Sequence, residues 1–198
     1  MAHTLFPLGR LTKPEVREAA RRHGLALAEK PDSQEICFIP GGDYKQFITA
    51  YLEEQGEQVP ETAGELVASS GEVIGRHEGI SNFTVGQRKG LGVNSPSPLY
   101  VLNIDTASHR VTVGADAELA NRTLRGRRLN WISNSALTAP MRVQIKIRHR
   151  HDPAWAVLVP AGPDEVVATF DEPQRAITPG QSAVFYDGDE VVGGGWIV

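Results

Sequence analysis

Near residue 58 the hydrophobic rhythm of this sequence changes, and that change restricts the folds open to it more than any other feature. Before it the signals are helical. Thr12 precedes Lys13-Pro14-Glu15, a Thr-x-x-Glu capping box with a proline in the first turn, and Gly24 follows as a stop. Val16, Ala19, Ala20 and His23 fall on one face of the predicted helix, leaving Arg17, Arg21 and Arg22 toward water. A second helix is predicted from Asp43, with Gln46 three residues on. It carries Tyr44, Phe47, Ile48, Tyr51 and Leu52 at helical spacing before Gly56, a stripe that reads as core packing.

After residue 58 short strands alternate with turn chemistry, and no long helical period returns. Hairpins are predicted for Glu65 to Ala68 with Glu72 to Gly75 across Ser69-Ser70-Gly71, and for Leu99 to Ile104 with Arg110 to Val113. Further on come Met141 to Arg150, Ala154 to Pro160 with Glu165 to Phe170, and Ser182 to Tyr186 with Glu190 to Val192 across Asp187-Gly188-Asp189. Regular spacing of this kind predicts small β domains or barrels. The expected class is therefore α+β and mostly β. A short helical segment occupies residues 1–58, a small central β domain 59–121 and a carboxy-terminal β-barrel 122–198.

Charge is distributed unevenly along this plan. Residues 122–150 hold eight Arg or Lys and no Asp or Glu, whereas residues 151–198 hold eight acids against Arg175 alone. Alternation along Met141 to Arg150 assigns Val143, Ile145, Ile147 and His149 to one face. The opposite face then carries Arg142, Gln144, Lys146, Arg148 and Arg150, a continuous cationic side suited to backbone phosphates. An ordinary solvated sheet face would have the same pattern. The turn Gly86-Gln87-Arg88-Lys89-Gly90-Leu91-Gly92 offers positive-φ positions and two cations, but its spacing fits neither a dinucleotide loop nor a Walker lysine loop.

The one cysteine, Cys37, lies in Asp32-Ser33-Gln34-Glu35-Ile36-Cys37-Phe38-Ile39, between the two predicted helices. A thiol on a connection can meet a reaction partner, although apolar neighbours are equally compatible with an inert packed thiol. A single cysteine excludes an internal disulfide and a structural zinc site, so no metal is expected and a reducing cytoplasmic location is. No apolar run approaches the ~18 residues of a membrane span, and Met1-Ala2-His3-Thr4-Leu5-Phe6-Pro7, with no charged stretch before an apolar core, is not expected to be a signal peptide.

Four strings carry a resemblance. Leu5-Phe6-Pro7-Leu8-Gly9 with Lys13-Pro14-Glu15-Val16-Arg17, the cysteine segment, Thr84-Val85-Gly86-Gln87-Arg88-Lys89-Gly90-Leu91-Gly92 and Thr178-Pro179-Gly180-Gln181-Ser182-Ala183-Val184-Phe185-Tyr186 closely resemble the bacterial tRNA-specific 2-thiouridylases, in the family's order. That resemblance implies an enzyme that adenylates the C2 oxygen of a wobble uridine with ATP and Mg2+, then delivers sulfur from a cysteine persulfide. It implies tRNAs for Lys, Glu and Gln as substrates, and a cysteine desulfurase or sulfur-relay protein as donor. Cys37 matches the family's persulfide cysteine. Arg148, His149 and Gln181 match its tRNA contacts, with Arg88, Lys89, Lys146 and Arg150 as further candidates.

The match is partial. The family's Ser-Gly-Gly-x-Asp-Ser pyrophosphatase loop and second catalytic cysteine have no counterpart in these residues, so the stretch resembles the carboxy-terminal part of the enzyme. ATP and Mg2+ are accordingly expected to act outside this chain, with none bound by it, and the chain alone is expected to be inactive. Two rival classes stay open: a non-catalytic RNA-binding β module in which Cys37 only packs, and a thiol sulfur carrier or redox protein in which the basic strand is only a solvated face.

Overall fold

The computed structural model describes residues 5–31, 44–57, 61–133 and 136–198. Cys37 and Asp43, and with them the expected persulfide site and the start of the second helix, lie outside the described residues. The chain divides into two compact units, residues 1–60 and 61–198.

In the first unit, α1 spans Lys13–Arg22 and α2 spans Tyr44–Glu54. The capping box forms as predicted: the Thr12 backbone N–H donates to Glu15 Oε2 at 2.7 Å and its hydroxyl at 2.8 Å. Gly24 ends α1 at φ +64°, where the Leu25 N–H reaches back to Ala20 O. Val16, Ala19 and Ala20 are half-buried, but His23 is exposed, because it is the cap residue at φ −89° and has left the helical face. Arg17 is half-buried instead of facing water, and donates to Lys30 O. Arg21 is held between Glu18 and Glu29.

In the second unit, β1 (Gly64–Ala68), β2 (Val73–His77), β3 (Tyr100–Asp105) and β4 (Arg110–Gly114) form a sheet ordered β2-β1-β4-β3. The two predicted hairpins are antiparallel, and β1 runs parallel to β4. One side of the sheet packs around Leu66, Val101, Val111 and Val113, with Phe83 and Leu91 from the connection.

Six strands then close a barrel: β5 (Ala120–Trp131), β6 (Met141–Lys146), β7 (Ala154–Gly162), β8 (Glu165–Arg175), β9 (Ser182–Asp187) and β10 (Glu190–Ile197), in the order β10-β5-β8-β7-β6-β9. Every neighbour is antiparallel, and closure leaves no unpaired edge. Phe170, Phe185, Leu124, Ile145, Ile147 and Leu158 fill the interior. The chain is thus mostly β within an α+β class.

Glycines 193–195 make the closure possible. A Cβ on Gly193 would lie 2.8 Å from Asn130 O, on Gly194 2.7 Å from Ala183 O and on Gly195 2.9 Å from Arg127 O, so β10 approaches both neighbours too closely for side chains.

β6 is shorter than its alternation suggests. It pairs with β7 as far as Ile145 opposite Ala154 and with β9 as far as Lys146 opposite Val184. Ile147 still reaches the core, but residues 148–151 then turn, with the His151 N–H bonded to Arg148 O. His149 is therefore exposed on a turn and does not share the core face of Val143.

The barrel is tied to the sheet at the end of β8. Ala176, at φ +54°, donates its N–H to Leu119 O. Arg175 grips Asp116 with two nitrogens at 2.7 and 2.9 Å and lies 5.2 Å over the Tyr100 ring.

Candidate nucleic-acid interface

Alternation along β6, β9 and β10 turns Ile145, Ala183, Phe185 and Ile197 inward, which leaves Lys146, Ser182, Val184, Tyr186 and Trp196 on the outer wall. Register sets them side by side: Lys146 opposite Val184, Gln144 opposite Tyr186, and Ser182 opposite Trp196. Residues 147–150, leading from the core into the turn, line the groove at one end of this wall. At the same groove, Gly180 at φ +84° lets its N–H bond Ile197 O while Gln181 O accepts from Ile197 N–H, so Gln181 is hooked beside Trp196. The result is a groove of about 900 Å³ on the outside of the barrel.

Lys146, Arg148, His149, Arg150 and Gln181, which the sequence singles out separately, all line this groove. No Asp or Glu lines it. Four other arginines of the barrel are committed to acids. Arg142 pairs with Asp171 at 2.6 Å, Arg127 with Glu165 at 2.6 Å, Arg122 with Glu172 at 3.7 Å and Arg175 with Asp116 at 2.7 Å. The cationic side expected along Met141 to Arg150 is therefore not continuous. Asp171 neutralises Arg142 and is itself held below the usual aspartate range, first by hydrogen bonding to that guanidinium. Arg142 also covers Trp155, 5.1 Å from its ring centre.

Arg148 is positioned from within the fold, where its Nη1 donates to Arg175 O at 2.8 Å. A guanidinium has five N–H donors in a rigid fork, so one such bond fixes its direction and leaves other donors for a phosphate.

Arg88 and Lys89 are exposed elsewhere. Arg88 borders a separate groove of about 480 Å³ with Gly90, Leu91 and Pro96. Gln87 rigidifies that turn by accepting from the Thr84 N–H and donating to Lys89 O, both at 2.9 Å. Gly86, at φ +86°, lies against the barrel corner, where an added Cβ would meet the Ala176 Cβ at 3.0 Å. Among the described residues no three of His, Cys, Asp and Glu converge as metal ligands. No described helix is long and apolar enough to cross a membrane.

Trp196 and Tyr186 belong to the groove but escape sequence reading of the site. The alternation of Ser182 to Tyr186 would have placed Tyr186 outside, whereas the glycine run before Trp196 has no alternation to read.

The sequence has close counterparts. Residues 1–41 match a tRNA methyl transferase HUP domain, 45–115 a tRNA methyl transferase PRC-barrel domain and 121–197 an aminomethyltransferase beta-barrel domain, which together define a class of chain with those three parts in that order. Among curated relatives, the tRNA-specific 2-thiouridylase MnmA of Acidobacterium capsulatum is 69% identical across all of this chain and 54% of its own length. Its namesakes from Koribacter versatilis and Solibacter usitatus are 66% and 55% identical, each again across the whole chain and about half of the relative. The chain belongs to the tRNA-specific 2-thiouridylase family. It spans about half the length of the curated relatives it matches.

Proposed function

We propose that this chain contributes to sulfur transfer onto the wobble uridine of tRNA, with the barrel groove holding the RNA and Cys37 carrying the sulfur as a persulfide. The observation that carries the RNA half is the acid-free groove in which Lys146, Arg148, His149, Arg150 and Gln181 meet. Three permanent cations in one concavity favour a polyanion, and phosphate contacts fix the register of a nucleic acid before any base is read. The sulfur half rests on the match of Cys37 to the family's persulfide position. A terminal persulfide sulfur is more acidic than a thiol, so it attacks the activated C2 as an anion without a dedicated base, and AMP leaves with the C2 oxygen. A second thiol, in this reading the family's second catalytic cysteine outside these residues, breaks the remaining S–S bond, forms a disulfide with Cys37 and leaves the sulfur on the base.

Activation belongs to ATP. Adenylation of the uridine C2 oxygen turns it into a leaving group, and the HUP match at residues 1–41 is in keeping with nucleotide use. Neither the Gly86 to Gly92 turn with its groove nor the two grooves on the barrel wall include a helix start, and in this reading ATP and Mg2+ act outside the described residues. The working division is an end piece of the nucleotide domain at 1–58, a central β domain at 59–121 and the barrel at 122–198; it runs close to the three matched segments. Cysteine desulfurase or a relay protein loads Cys37, the substrates are the wobble-uridine tRNAs for Lys, Glu and Gln, and the setting is the cytoplasm.

The matched segments carry methyl-transferase names, while the relatives carry a 2-thiouridylase name. Nucleoside mass spectrometry separates the two. Unmodified tRNA treated with ATP, magnesium, a desulfurase, cysteine and a polypeptide joining this chain to a relative's upstream half should gain sulfur at the wobble uridine, and Cys37→Ser should abolish the gain. A methylated uridine, or sulfur transfer that survives Cys37→Ser, overturns the reading.

A further inference from the structure

The three tryptophans of this chain are used differently. Trp131 packs against Phe185, with ring centres 5.9 Å apart, and is part of the barrel core margin. Trp155 is 44% exposed, but its face is covered by the Arg142 guanidinium. Trp196 is 49% exposed on the outer wall and has neither a ring nor a guanidinium over it among the described residues. The three glycines before it raise no side chain along β10, and of its two cross-strand neighbours Ser182 is small and Arg127 is turned to Glu165, so the indole is a flat apolar surface left open to solvent.

Its surroundings are charged in a particular way. Trp196 lines the 900 Å³ groove with Lys146, Arg148 and Arg150, and also a second groove of about 270 Å³ with Arg128 and Asn130. No acid lines either groove. Arg128 is exposed and makes no ion pair with any described residue, unlike Arg127 beside it. The indole is therefore a ridge between two cationic depressions. A base-paired helix buries its base faces in stacking and offers no base to such a ridge, but an unpaired nucleotide presents both a π face and flanking phosphates.

We propose that Trp196 is a stacking platform for one unpaired base of the bound RNA, whose strand crosses β10 with one flanking phosphate toward Arg148 and the other toward Arg128. This rests on the barrel groove being the RNA-binding surface. Barrel recognition then selects looped, single-stranded RNA over duplex, and the selection comes from an aromatic face in addition to charge. Arg128 becomes a contact at the far end of the path.

The test uses the full 198-residue chain and anisotropy of a labelled, unmodified wobble-uridine tRNA, repeated with a short oligouridine strand and with a blunt RNA duplex. Trp196→Ala should weaken tRNA and oligouridine binding about tenfold while leaving the salt slope unchanged, because stacking releases no counterions. Trp196→Phe should recover most of the loss, duplex binding should be indifferent to both, and Trp155→Ala should change nothing. Arg128→Ala should flatten the salt slope by about one unit, and Arg127→Ala should not.

If Arg148→Ala weakens binding but Trp196→Ala does not, the groove reading stands and the stacking role falls. Equal losses for Trp196→Phe and Trp196→Ala, or a Trp196→Ala loss that flattens the salt slope, would mean the indole only supports the wall, and the proposal falls again. If the unsubstituted chain binds no RNA, both readings fall together.

Discussion

Nη1 of Arg148 donates to the backbone carbonyl of Arg175 at 2.8 Å, so a groove cation is oriented by the same residue whose own side chain clamps Asp116 and covers Tyr100. Groove and sheet junction thus meet at one backbone position. A lysine could keep the charge of Arg148 but has no rigid fork with which to hold a carbonyl and a phosphate at defined angles.

Arg148→Ala is expected to weaken tRNA binding and to lower the slope of log affinity against log salt by about one unit. Arg148→Lys should keep the slope and recover only part of the affinity. Arg142→Ala, six residues earlier on the same expected face, should leave the slope unchanged because Asp171 already compensates its charge. Titrations at three or more salt concentrations decide the matter, and equal slopes for all variants would remove Arg148 from the interface.

Cys37 should accept one sulfur. Incubation with a cysteine desulfurase and cysteine, followed by intact-mass measurement without reductant, should show a single sulfur adduct that a reductant removes and Cys37→Ser abolishes. A thiol that resists both loading and native-state alkylation would favour packing.

The cap of α1 should be acid-sensitive. The Glu15 carboxyl lies below its ordinary range, first because the Thr12 backbone N–H donates to it and second because the Thr12 hydroxyl does. Its folded-state pKa is thus depressed, so its stabilisation of the helix start is present above the unfolded glutamate value of about 4.3 and is lost as pH falls through the lower folded value. Protection of the Thr12 and Val16 amides, taken relative to intrinsic exchange at each pH, should fall over that acidic window, and Glu15→Gln should remove most of the pH dependence. Protection factors that do not change with acid would sink the assignment.

Gly86→Ala should destabilise the second unit by about 1–2 kcal/mol, the usual penalty for a side chain in left-handed backbone, with crowding against Ala176 adding to it. The urea midpoint followed by near-ultraviolet circular dichroism should fall, while RNA affinity at low denaturant should hold. An unchanged midpoint would mean that the turn shifts freely from the barrel corner.

Much of this fold is readable where turn chemistry is local. Gly71 and Gly188 sit at φ +91° and +58° in the hairpins their sequences announce, and Thr12 caps its helix through a residue three positions on. β5 was not readable as a strand. Only Leu124 and Gly126 are buried along its twelve residues, because it is polar on its outer side, and two of its four arginines, Arg122 and Arg127, meet their acids only on β8, at Glu172 and Glu165. The site was legible as composition before it was legible as shape. Lys146 and Arg148 were placed on the cationic side, but nothing local could reveal that Asp171, 29 residues on, would take Arg142 out of it. Arg148, His149 and Arg150 reach the groove from a turn, where a strand rule no longer applies.

The barrel is filled with Phe170, Phe185 and aliphatic side chains, so its interior is closed to any ligand and the groove occupies only the outer surface. Stability and recognition are therefore written on opposite faces of the same strands. Lys146, Tyr186 and Trp196 can be exchanged without opening a cavity, whereas their inward neighbours Ile145, Phe185 and Ile197 cannot. On the proposed RNA-binding reading, evolution or a designer can redraw which RNA this wall accepts by changing outward residues alone, with glycines 193–195 as the fixed frame around which the redrawing must be done.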